Sequence, residues 1–227
     1  MAESLIRLGK ALKDNQVIHS EHVFRAVAQQ LKALNDETAW AYEVGKAAPI
    51  EFVPIYNEKL GREVKPHLYT NIQVKKTMAA GVCFGHLELS LDVKDLEGKI
   101  LVRQHVDLAN FDDAHLQPGP VFHLQFGGHT PGQERNLEVP IKEPRWLYFP
   151  MDIVLLCEVI VANFYPAQWE VLKRLPAWRE PILASQRFCI EPFVRALTEK
   201  ISVSSRTILD HFWVSTDGPR YQTEGYR

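Results

Sequence analysis

Cysteine is scarce: three in 227 residues, Cys83, Cys157 and Cys189. An odd, widely spaced set without a C-x-x-C string excludes a disulfide framework and a zinc knuckle. Long apolar runs are missing as well. The strongest, residues 151–164 (MDIVLLCEVIVANF), is broken by Asp152 and Glu158 and is too short to cross a bilayer. The first residues hold no apolar signal core. Charge of one sign is missing too: the formal net charge is -2, so the overall balance does not indicate nucleic acid, although a local basic patch stays open. Repeats and low-complexity tracts are absent. The expectation is a protein of the reducing cytoplasm with no membrane partner and no disulfide.

What remains has an ordinary globular composition: 46% hydrophobic and 24% charged residues, enough to bury a core without metal or cross-links. Leu5, Ile6, Leu8 and Leu12 share one side of a first short helix. Ser20 suits the N-cap of a second, with Val23, Phe24, Val27, Leu31 and Leu34 at helical spacing, and the pattern extends through Trp40 and Val44 to Gly45. From about residue 67 the period becomes two. Leu87, Leu89, Leu91 and Val93 alternate with polar residues; Glu97-Gly98 supplies a turn; Val102 and Val106, then Phe122, Leu124 and Phe126, continue the alternation. After Pro150 the pattern is helical again. Pro166 and Pro176 act as breaks, Pro192 as a kink, and Ser204 as the cap of a last short helix. The expected architecture is a single α+β domain: N-terminal helices over 1–48, an antiparallel meander over 67–130, C-terminal helices over 150–213 and a polar tail over 214–227.

The alternation leaves a polar face on the sheet. It carries His86, Glu88, Ser90, Arg103, His105, Asp107, His123 and Gln125, with His129 just past the bend at Gly127-Gly128. Arg103, Asp107, His123, Gln125 and His129 are the candidate binding residues; His105, His123 and Arg103 are the candidate catalytic ones. Imidazoles titrate near neutrality and a guanidinium stabilises negative charge, which suits acid–base work on a phosphate. The same pattern also describes the wet side of an ordinary antiparallel sheet. His105-x-Asp107 with His123 spells two histidines and a carboxylate, but a hairpin separates them where metal-dependent oxygenases need a barrel, so no metal and no other cofactor is expected. Cys157 lies among Ile153, Leu156 and Ile160 and reads as a core thiol. Trp146, Trp169, Trp178 and Trp213 suit a helical core or a partner surface.

Leu101-Val-Arg103, His123-Leu-Gln-Phe-Gly-Gly128, Pro144-Arg145 and the helix 155–164 together resemble the TumE-type family of bacterial toxin–antitoxin proteins. The resemblance covers roughly the central third of the chain. Arg103 matches a strand-terminal Arg of that family and His123 the first His of its His-x-His string; the second His is Gln125 here. The resemblance implies a component of a bacterial conflict, anti-phage defence or toxin–antitoxin-like system. It would act through protein partners encoded nearby, such as an ATPase, a nuclease or an antitoxin. Two alternatives stand beside it. One is a ribonuclease-like toxin using His123 and His105 as acid and base with Arg103 on the phosphate; the other is an assembly subunit with no site. Gln125 separates the first two, because a two-histidine enzyme would not carry it.

Overall fold

A computed structural model describes residues 1–33, 39–75, 84–109, 118–127, 144–215 and 218–219. Two amphipathic helices open the chain, α1 (Ala2–Asp14) and α2 (His22–Ala33). They pack closely where Gly9 leaves no side chain: a Cβ there would stand 2.8 Å from the Phe24 ring. Strands β1 (Trp40–Val44), β2 (Ile50–Glu51), β3 (Ile55–Asn57), β4 (Arg62–Val74), β5 (Phe84–Lys94) and β6 (Ile100–Leu108) follow. Then come β7 (Gly119–Pro120), β8 (Phe122–Phe126) and β9 (Trp146–Leu147). The order across the sheet is β1-β4-β5-β6-β8-β9, every neighbour antiparallel, with β2 and β3 also paired to β4. The expected meander is therefore β4-β5-β6-β8.

The C-terminal layer consists of α3 (Ile153–Phe164), α4 (Pro166–Leu172) and α5 (Pro176–Val203), followed by α6 (Ile208–His211). A second small sheet joins β10 (Trp213–Ser215) to β7 and to β11 (Gly218–Pro219). α3 is buried on nearly all sides, which explains why its apolar residues run together. Cys157 and Cys189 are both buried in this layer as core thiols. Trp178 is likewise core, while Trp146 and Trp213 are exposed. No helix among the described residues is long and apolar enough to cross a membrane.

Four local expectations are corrected. The second helix is described as far as Ala33, and Trp40–Val44 is a strand, not helix; Tyr42 and Val44 are buried while Ala41 and Glu43 face out, a period of two. The sheet thus begins well before residue 67, and Pro66 sits inside β4. The polar tail does not begin at residue 214, because Val214 is fully buried and pairs with Gly119. Ser204 ends α5, and it is Thr207 whose hydroxyl caps α6 by accepting from Asp210 N.

Most of the apolar face of the sheet is covered. Phe122 meets Phe84 and Phe193 edge-on, with centroids 6.3 and 5.9 Å away, and Leu87, Leu89 and Val106 are buried beside it. Val102 and Phe126, expected in the core, lie near the start of β6 and at the end of β8 and are 44% and 45% exposed.

Candidate functional site

Strand register arranges the polar face in rows. In one row Asn71, Glu88, Asp107 and His123 stand directly opposite one another on β4, β5, β6 and β8. The next row is Tyr69, Ser90, His105 and Gln125. The third is His67, Asp92 and Arg103. This face is not the uniformly wet side of a sheet: His67, Tyr69, Ser90, Asp92, Arg103 and His123 are all buried.

The rows have different chemistry. Arg103 is locked to Asp92, its Nε and Nη2 each donating over 2.5 Å to one carboxylate oxygen. A fork-on-fork pair of this kind is strong and directional. Its guanidinium is held two rows away from His123. His105 lies 3.5 Å from Ser90 Oγ through Nδ1, at the limit of a hydrogen bond, and burial lowers its pKa, helped by Arg103. Lys94 Nζ donates to the Tyr69 hydroxyl at 2.8 Å and lies over the Tyr69 ring.

The outer row is different. His123 is 4% exposed, and its Nδ1 is 3.1 Å from the Pro120 carbonyl oxygen. A carbonyl only accepts, so Nδ1 carries the proton and the neutral ring keeps its Nε2 lone pair. Burial pushes its pKa down to about 4, with the Arg145 charge acting the same way. Asp107 faces it across the strand pair. Asp107 Oδ1 is sealed from solvent and has no hydrogen-bond partner among the described residues. Burial raises this carboxyl to about 7; the facing Glu88 adds to the rise and Arg145 opposes it. Arg145 Nε donates to Gln125 Oε1 at 3.3 Å.

The sequence candidates are thus divided. Asp107 and His123 are brought together; His105 and Gln125 form the neighbouring row; Arg103 serves Asp92; His129 lies outside the described residues. Asp92 was missed, although continuing the alternation two residues beyond Ser90 reaches it. No group of three or more His, Cys, Asp or Glu side chains among the described residues is arranged to hold a metal ion.

The buried acid and the buried imidazoles on this face affect stability in opposite directions. The Asp107 carboxyl has an ordinary value of 3.8 and sits near 7 when folded, so the folded chain holds a proton that the unfolded chain has lost, and stability falls as pH rises from about 4 to about 7. His67 and His123 act in the opposite sense. Each falls from 6.5 to about 4 on folding, so their contribution is present above pH 6.5 and is lost as pH drops towards 4. Between about pH 4 and 6.5 the two histidines outweigh the one carboxyl. Asp107→Asn is therefore expected to steepen the loss of melting temperature on acidification through that window and to raise the melting temperature above pH 7. Thermal melts of both proteins across the window check this. Parallel curves would mean that Asp107 is an ordinary solvated carboxylate.

Comparison with protein-family models, with curated proteins and with solved structures gives no match. The class defined by fold and face is an α+β protein whose antiparallel sheet carries a half-buried polar row on the side opposite its helices.

Proposed function

We propose that the protein is a binding component of a bacterial toxin–antitoxin-like or phage-defence system, acting in the cytoplasm through partner proteins, with the sheet face at Asp107 and His123 as its binding site. The carrying observation is a buried, unsatisfied carboxylate oxygen, Asp107 Oδ1, directly across the strand pair from His123. Leaving a buried carboxylate oxygen unbonded costs about 1–3 kcal/mol or more. Such a cost persists where a bound group removes it. The assignment to a conflict system rests on the resemblance of the central third to TumE-type toxins.

One observation favours an enzyme instead. A carboxyl held near pH 7 beside a neutral imidazole is a matched acid and base. The pair would then be Asp107 and His123, not His105 and His123. The phosphate-binding role first considered for Arg103 is weakened, because that guanidinium already holds Asp92.

The test is His123→Asn in the cell of origin. The Asn amide can still donate to the Pro120 carbonyl, so the melting temperature should change by only a few degrees, in line with about 1 kcal/mol. The Nε2 acceptor is gone, and the toxicity or phage-protection phenotype should be lost, along with co-purification of the products of neighbouring genes. A folded variant with full phenotype and intact partners would refute the assignment.

A further inference from the structure

We propose that the Glu88–Asp107–His123 row receives a planar organic cation of the guanidinium or amidinium type. The inference rests on reading this face as a binding site and names the ligand chemistry that the site selects.

The row is built almost wholly of acceptors. Glu88 and Asp107 are directly opposed across β5 and β6, and Asp107 and His123 across β6 and β8. Like charges directly opposite one another destabilise a sheet unless something lies between them. The His123 proton is committed to Pro120, which leaves its Nε2 as an acceptor. Asp107 Oδ1 is likewise without a donor. Side chains directly opposed on neighbouring strands have Cβ atoms about 4.5–5.5 Å apart, so one compact group reaches both.

Three ligand chemistries compete for such a row. A metal ion needs three or more converging ligands, and the described residues offer no such group. A phosphate or carboxylate would meet two carboxylates and an imidazole lone pair, while the nearest guanidinium, Arg145, donates to Gln125 on the adjoining row. A guanidinium fits: its planar fork of N–H donors matches a carboxylate, and a divergent N–H reaches an imidazole nitrogen. His105 and Gln125 occupy the next row, with Arg145 donating to Gln125, so the cation is admitted from the Glu88 side, where Glu88 is exposed.

Methylguanidinium is the first probe, added to the intact protein at about pH 8, above the Asp107 titration. Imidazole ring resonances are followed by NMR. The His123 ring signals should shift saturably and those of exposed His19 should not. Asp107→Asn removes a charge-assisted pair and should weaken binding about tenfold or more. Glu88→Gln, an exposed substitution that leaves the fold alone, should weaken it several-fold and covers the case of an Asp107 variant that fails to fold. Agmatine and a glycine-flanked arginine peptide then tell a free metabolite from a partner's side chain by which binds more tightly. Unmoved His123 signals, equal affinity in both variants, or shifts produced by inorganic phosphate instead would overturn the ligand class. Guanidinium binding with a full cellular phenotype in His123→Asn would count against the proposed role alone.

Discussion

Arg103→Ala is expected to destabilise the protein by about 3–5 kcal/mol, lowering the melting temperature by roughly 6–20 °C for a chain of this size. Arg103 is 8% exposed and Asp92 1%, and the pair is joined by two hydrogen bonds of 2.5 Å. The ion pair itself adds little net stability over two apolar residues, since both charges are taken out of water. The damage comes from removing one partner only: Asp92 keeps its burial and loses its counter-charge. Asp92→Ala should be about as harmful for the mirror reason. Arg103→Met combined with Asp92→Leu should recover most of the loss, because neither charge is left behind. Chemical denaturation of the three variants gives the comparison. If Arg103→Ala melts like the parent protein, the ion pair is not structural and the guanidinium returns as a candidate for binding ligand on the sheet face.

That outcome reverses what alternation alone suggests. Period-two spacing assigns Arg103 to the face away from Leu87 and Leu89, and the strands do place it there. What spacing does not contain is the depth of that face. Burial of Arg103 and Asp92 depends on β4, whose His67 and Tyr69 are buried on the same side. It also depends on a register fixed only when the strands pair. The register of β8 decides the site in the same way. The connection from Ala109 to Val121 is long enough to set either His105 or Asp107 opposite His123, and the two choices give different chemistry. Hydrogen bonding chose Asp107.

The elements themselves were more legible. β5 is readable because Leu87, Leu89, Leu91 and Val93 face a covered layer without a break. α3 is readable as a helix from its length and its proline boundaries. Trp40–Val44 was not, because Trp40 and Val44 are four residues apart and satisfy a helical stripe as well as a strand. The deciding contact is tertiary: Trp40 packs on Phe188 of α5 at 5.6 Å and stacks on Tyr42 of its own strand. Val102 and Phe126 mark the converse limit. Their sequence pattern is that of core residues, yet both are exposed.

Asp152→Ala is expected to cost about 3–5 kcal/mol, combining a lost N-cap with buried polar groups left unsatisfied. Asp152 is wholly buried at the start of α3. Its Oδ1 accepts from Val154 N and Leu155 N, both at 3.0 Å, and its Oδ2 accepts from Ser185 Oγ at 2.7 Å. Burial raises its pKa, and these three donors pull the other way. One carboxylate therefore caps α3 and fastens it to α5, so alanine strands two helix N–H groups and a hydroxyl at once. Asp152→Asn should be much milder, near 1 kcal/mol, because the amide oxygen still caps and the Ser185 hydroxyl can turn to accept. Ser185→Ala removes a single bond and should cost about 1–2 kcal/mol. In the Asp152→Ala background the same change should cost almost nothing, since the hydroxyl has already lost its acceptor. Denaturant melts of the four proteins close the cycle. Additive losses would show that the cap and the α3–α5 tie are independent, and an Asp152→Ala protein no weaker than Ser185→Ala would show that the carboxylate does not anchor the helix.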